Sequence, residues 1–156
     1  MLITLFTALA ATVLMEPWAA FVHKVVWHGP LWTVHVTHHT PRQGLFEWND
    51  IFPLLHAPPA IAMLAWGFWG PPGLITQILL GLGIGISVYG MAYQFVHDFI
   101  VHRRLPLRFL EKIPYIAQVR RAHLTHHGRG GAPWGLFLGP WERKERSPSL
   151  KLDRES

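Results

Sequence analysis

The sequence predicts an all-α fold: an integral membrane helical protein with about three transmembrane helices and a cytoplasmic histidine-rich helical cap. Three observations carry this. Half of the 156 residues are hydrophobic and the mean hydropathy is positive, which leans toward a bilayer protein of one domain. Three apolar runs, at residues 2–22, 52–69 and 74–96, approach or reach the ~20 residues a helix needs to cross the hydrocarbon core. Ten of the eleven histidines fall into four short boxes beside these runs.

The first run, "LITLFTALAATVLMEPWAAFV", contains one charge, Glu16. "ALA" at residues 8–10 resembles a leader cleavage site, but no Lys or Arg precedes the run, so a retained first span is expected. The second, "FPLLHAPPAIAMLAWGFW", has no formal charge, and Pro53, Pro58 and Pro59 predict a kinked or irregular entry. The third, "LITQILLGLGIGISVYGMAYQFV", is also uncharged and would extend about 34 Å as a helix. "GPPG" at residues 70–73 is a turn that makes the second and third spans an antiparallel hairpin. Gly81 and Gly85 form a G-x-x-x-G pair of the kind that lets helices approach closely, here read as packing.

Three spans put residues 23–51 and 97–156 on one side of the membrane, and all fourteen Lys and Arg fall there. Such asymmetry assigns that side to the cytoplasm. The formal charge of +5 then reads as a topology signal and not as a nucleic-acid surface, so no nucleic acid is expected as partner. Residues 1–140 form one expected membrane domain. Residues 141–156, "WERKERSPSLKLDRES", mix both charge signs and read as a polar tail.

The boxes come in two repeated types. "HKVVWH" (His23, His28) and "HDFIVH" (His97, His102) share H-x-x-x-x-H; "HVTHH" (His35, His38, His39) and "HLTHH" (His123, His126, His127) share H-x-x-H-H. On a helix, positions i, i+3 and i+4 lie on one face, so each H-x-x-H-H can aim imidazoles at one place. The i, i+5 pairs diverge on a regular α-helix unless it ends, bulges or lies between two metals. The topology brings all four boxes to one membrane face. With no cysteine, thiolate sites and cysteine-ligated clusters are excluded. Ten nitrogen ligands exceed what two tetrahedral zincs use and divide into about five for each of two metals, which favours iron of higher coordination with one open position apiece.

Four residues outside the boxes stand within reach of the metal layer. His56, one turn into the second span, is expected to pack beside the ligands without binding metal. Asp98, next to His97, is placed to orient a ligand imidazole. Glu16, an ionisable group inside the first span, needs a partner, either a box histidine or an arginine. Asn49 either serves the metal layer or, with Asp50, caps the second span.

In this order and with these spacers, the boxes resemble the membrane di-iron hydroxylase and desaturase superfamily, and more closely the bacterial β-carotene 3-hydroxylases. The likeness covers about residues 13–140 and includes "HKVVWHG", "HVTHHTPRQGLFEWND", "YGMAYQFVHDFIVHRR" and "RRAHLTHH" followed by a Gly-rich loop. The resemblance implies a bacterial inner-membrane enzyme whose ten box histidines hold two iron ions on the cytoplasmic side. It further implies O2 as co-substrate and insertion of one oxygen atom at C3 of a β-ionone ring, taking β-carotene through β-cryptoxanthin to zeaxanthin. A ferredoxin-type electron donor is implied as well. The chain has neither a G-x-G-x-x-G nor a cysteine, so no redox cofactor of its own is visible. Arg103, Arg104, Arg108, Lys112, Arg120 and Arg121 are expected to dock an acidic carrier or to anchor the chain to anionic lipid. "APWGLFLGPW", residues 132–141, is expected either to line a ring-entry slot or to cover the metal layer.

Two competing readings are an oxygenase of another lipid (a fatty acid, sterol or keto-carotenoid) and a divalent-metal transporter. Transporters place ion ligands near the bilayer midplane, whereas these boxes lie at one surface.

Overall fold

The structure is a computed structural model that describes residues 1–41, 44 and 46–145. Among them all regular structure is helical. Helix α1 (Leu2–Val22) runs directly into a π-helical segment (His23–Trp27), followed by α2 (Trp32–His39). A 3-10 turn (Trp48–Asp50) leads into α3 (Ile51–Trp69), and the "GPPG" turn into α4 (Leu74–Gln94). Helix α4 also runs on into a π-helical segment (Phe95–Val101), before α5 (Pro114–Arg129) and α6 (Gly139–Glu145). Three continuous helical stretches, Leu2–Trp27, Trp48–Trp69 and Leu74–Val101, are long and apolar enough to cross a membrane.

All three stretches are longer than the apolar runs of the sequence. The polar residues at their ends, which the hydropathy pattern reads as loop, continue the helix into the histidine layer. Helix α3 is continuous through its prolines. Pro53 sits in its first turn, where a missing N–H removes no intrahelical bond, and Pro58 and Pro59 lie inside a helix that remains α-helical from Ile51 to Trp69.

Helix α4 is the centre of the bundle, packed against α1 on one side and α3 on the other. Glycines make this double packing fit. A Cβ on Gly85 would lie 2.5 Å from the Ala8 carbonyl oxygen of α1, and one on Gly81 would overlap Thr7. On the other flank a Cβ on Gly83 would lie 2.9 Å from Cγ of Leu64 in α3. In lipid there is no hydrophobic drive to join helices, so such close backbone approach supplies the dispersion contacts that do. Thr12 Oγ1 also donates across this interface to the Gly85 carbonyl, at 3.3 Å. Helices α1 and α4 run parallel, and each hands its chain to a π segment at the same membrane face.

Glu16 meets neither a box histidine nor an arginine. Its carboxyl accepts from the Tyr89 hydroxyl (2.7 Å) and from the Leu138 N–H (2.8 Å), which ties α1, α4 and the loop after α5 together. That loop is inside the structure: Leu136 is buried with Val96, Ile100, Val101 and Val119 beneath the histidines. Helix α6 spans the expected boundary between the domain, ending at 140, and the tail, beginning at 141. Glu142 on it accepts from the N–H groups of Trp134 (2.9 Å) and Gly135 (3.1 Å). Residues 146–156 of the expected tail lie outside the described residues.

Candidate metal centre

The two box types do different geometric work. In each π segment the backbone bonds skip one residue further than in an α-helix: the His28 N–H donates to the His23 carbonyl (3.0 Å) and the His102 N–H to the His97 carbonyl (2.9 Å). One wider turn therefore separates the members of each H-x-x-x-x-H pair, which brings i and i+5 onto one face. The ring centroids are 5.0 Å apart in the first pair and 4.6 Å in the second. The H-x-x-H-H boxes lie on regular helices, α2 and α5, where i and i+4 align.

The imidazoles gather into two groups. His23, His28, His35, His39 and His126 each offer a nitrogen within 4.8 Å of the others, as do His38, His102, His123 and His127. His97 joins the second group, its Nε2 lying 3.1 Å from Nε2 of His38. Each group thus combines one H-x-x-x-x-H pair, the outer i, i+4 pair of one H-x-x-H-H box, and the middle histidine of the other box. This internal pseudo-symmetry accounts for the doubled motifs: span, π segment and helix recur as one unit, and each helix lends one ring to its neighbour's group. The groups abut, with His39 stacked on His127 at 4.2 Å.

The donor set fits metal ions. Within the first group the Nε2 atoms of His23 and His35 are 3.1 Å apart, those of His28 and His126 3.1 Å, and those of His35 and His39 3.3 Å. Within the second, His102 and His123 are 3.0 Å apart and His123 and His127 2.9 Å. At a metal–imidazole distance of about 2.0–2.1 Å, ligands at right angles stand about 3.0 Å apart and tetrahedral ones about 3.4 Å. The observed spacings favour the right-angle case.

Five rings are held from behind through Nδ1, which leaves Nε2 unprotonated toward the centre of its group. His23 Nδ1 donates to the Trp134 carbonyl (2.9 Å), His126 Nδ1 to the Gly131 carbonyl (2.6 Å) and His35 Nδ1 to Asn49 Oδ1 (2.6 Å). His38 Nδ1 donates to Glu47 (3.0 Å) and His97 Nδ1 to Asp98 (2.5 Å). Of the two roles expected for Asn49, its side chain takes the one at the histidine layer, where it orients a ring, and not helix capping. Burial is the first cause that keeps the rings outside the spans neutral. It holds His28 and His39 at about 4 and His35 at about 3, against an ordinary 6.5. It also pushes down His38, His102, His123, His126 and His127, with neighbouring imidazoles adding to the effect in most of them.

Other expected residues divide. Asp98 is buried and stands behind His97, as its position in the sequence predicts. His56 lies elsewhere: its Nδ1 donates to the Phe52 carbonyl (3.1 Å), and the ring borders an apolar groove. Glu47 escapes the sequence reading. Its only signal is an acidic residue beside Trp48, eight residues after a histidine box, which reads equally well as solvated loop. Of the basic cluster, Arg104 is internal, donating to both oxygens of Asp50 at 2.9 and 2.6 Å and lying 3.7 Å from Glu47 and 3.6 Å from Asp98. Arg103 pairs with Glu111 (2.8 Å). Arg108, Lys112 and Arg121 remain on the outer surface. The segment after α5 covers the histidine layer, with the Trp134 ring 5.0 Å from that of His28 and 5.3 Å from that of His126.

A groove of about 620 Å³ opens between α1 and α3 over one face of α4. Its walls are largely apolar, including Met15, Val22, Leu54, Ala57, Ile86 and Met91. Trp27, Asp50, Pro53 and Tyr93 border both this groove and a narrow cleft lined by His23, His35, His38, His97 and His123. The groove thus leads from the hydrocarbon layer to the histidines.

Residues 8–145 match the model of the fatty acid hydroxylase family. The chain is similar to beta-carotene 3-hydroxylase 1, chloroplastic, of Arabidopsis thaliana, at 44% identity over 97% of this chain and 49% of the relative. It is similar to the chloroplastic beta-carotene 3-hydroxylase of Gentiana lutea at 48% identity, over 97% of this chain and 48% of the relative. To the beta-carotene hydroxylase of Pseudescherichia vulneris the identity is 38%, over 89% of this chain and 76% of the relative. The chain spans about half the length of the chloroplast relatives. No solved structure matches it. With the histidine boxes inside the matched residues and a bacterial relative covered over most of its length, the chain belongs to the fatty acid hydroxylase family.

Proposed function

We propose that the chain is a β-carotene 3-hydroxylase that holds two iron ions, one in each five-imidazole group, at the cytoplasmic face of a bacterial inner membrane. The observation that carries this is the gathering of the histidines into two groups, five rings in one and four in the other with His97 beside them, at the inner end of an apolar groove. Similarity to beta-carotene hydroxylases across most of the chain supports the substrate class. The basic residues on the histidine side support the orientation.

Bound iron would supply the oxidising chemistry, with O2 giving one oxygen atom to the C–H bond and the other to water while an external donor provides two electrons. The chain's own residues do the rest. The groove walls take a long apolar polyene out of the bilayer with little polar surface to desolvate. Trp27, Pro53 and Tyr93, at its inner end, stand where the terminal ring would meet the histidine cleft. Backing acceptors fix ring orientation, and Trp134 roofs the layer and excludes water. The exposed Arg108, Lys112 and Arg121 give a ferredoxin-type donor a basic landing surface.

Coexpression with a β-carotene pathway should convert β-carotene to singly and doubly 3-hydroxylated pigment. Unchanged β-carotene in the presence of folded, iron-loaded chain and reductant would refute the proposal. Hydroxylated fatty acid in the same extracts would point to the other lipid substrate that the family name admits.

A further inference from the structure

The ligand sets of the two groups are symmetric, but the acceptors behind them are not. In the first group every backing acceptor is neutral: the carbonyls of Trp134 and Gly131 and the amide oxygen of Asn49. In the second both are carboxyls, Glu47 behind His38 and Asp98 behind His97. Asp98 is 4% exposed and also accepts from the Gln94 amide. Arg104 stands 3.6 Å from Asp98 and 3.7 Å from Glu47 while gripping Asp50, so one guanidinium faces both backing carboxyls.

An imidazole whose N–H points at a carboxylate is a stronger electron donor through its other nitrogen than one whose N–H points at a neutral carbonyl, because the carboxylate draws the proton toward itself. A neutral acceptor fixes the ring and adds no charge. Resting on the metal-centre reading but not on the identity of the substrate, we infer that the two metal positions are chemically unequal. The position formed by His38, His97, His102, His123 and His127 fills first and binds more tightly, with Glu47 and Asp98 as the positioning residues that make it so. Loss of one backing partner typically lowers metal affinity by about 10–100-fold, and exchanging a neutral acceptor for a carboxylate is expected to separate the positions by a factor within that range.

The test is anaerobic titration of the detergent-solubilised full-length metal-free chain with ferrous iron, read by bound-iron analysis and by Mössbauer spectra of samples loaded with half an equivalent and with two equivalents of 57Fe per chain. Two binding phases are expected, with a single quadrupole doublet at low loading and a second doublet appearing only at high loading. Asp98→Asn and Glu47→Gln should each weaken the tight phase by about 10–100-fold and leave the weak one in place. Asn49→Asp, which puts a carboxyl behind His35, should tighten the weak phase, a gain that structural damage does not produce. Uptake of two irons in one phase, with both doublets growing together from the first addition, would overturn this inference and leave the metal centre standing. A chain that takes up no iron would overturn both.

Discussion

Glu16 is the only ionisable side chain within the α1 span, and its removal has a consequence that can be worked out from its contacts. The residue is 6% exposed, and its carboxyl satisfies the Tyr89 hydroxyl at 2.7 Å and the Leu138 N–H at 2.8 Å. Glu16→Ala strands both donors in a place that water does not reach, at about 1–3 kcal/mol each. A total of about 2–6 kcal/mol, at roughly 2–4 °C per kcal/mol for a chain of this size, lowers the melting temperature by at least ~4 °C. Tyr89→Phe removes a donor with its bond and leaves Leu138 satisfied, so it costs only about 0.5–1.5 kcal/mol. The loss reaches the metal layer, because Leu138 ends the same loop whose Trp134 carbonyl holds His23. Melting curves in one detergent, with iron content measured on the same samples, should rank the proteins wild type, Tyr89→Phe, Glu16→Ala in falling order of both quantities. Wild-type stability in Glu16→Ala, or a larger loss in Tyr89→Phe, would refute the reasoning.

Gly85→Ala places a methyl 2.5 Å from the Ala8 carbonyl oxygen and 2.6 Å from the Ala11 side chain, so α1 must move off α4; a loss of about 1–3 kcal/mol is expected in detergent unfolding, whereas Gly90→Ala, which meets nothing within 4 Å, should be neutral or stabilising. His126→Ala should remove about one of the two irons, while His56→Ala, whose ring contacts the Phe52 carbonyl and the groove, should keep both; metal analysis of the purified variants decides it. Metal-free chain should lose stability on acidification. Burial lowers the folded-state values of His28, His35 and His39 below the unfolded 6.5, so their contribution is complete above about 6.5 and is lost as pH falls toward 4 and 3. Melting temperatures measured between pH 8 and pH 4 should fall steadily below 6.5, and a flat profile would contradict the burial seen here.

Much was legible in the linear pattern because the bilayer simplifies the problem. A span must close its backbone hydrogen bonds internally, so an uncharged run of sufficient length is a helix whatever surrounds it. The i, i+3, i+4 spacing of "HVTHH" and "HLTHH" likewise fixes a common face by local geometry alone. Asp98 was visible because it acts on its immediate neighbour. What the chain order does not contain is which rings meet across helices. The exchange of His38 and His126 between the two groups, the capture of His35 by Asn49 and of His38 by Glu47, and the turning of Arg104 inward all depend on how α2 and α5 seat against the two π segments. Local pattern also gave Glu16 the wrong partners, since Tyr89 and Leu138 lie 73 and 122 residues away. The sequence alone determined that these histidines gather at one membrane face, because span length and helical period are local quantities. Only the tertiary structure decided how they divide in two and what stands behind each ring, because those contacts join residues that nothing in the chain sets side by side.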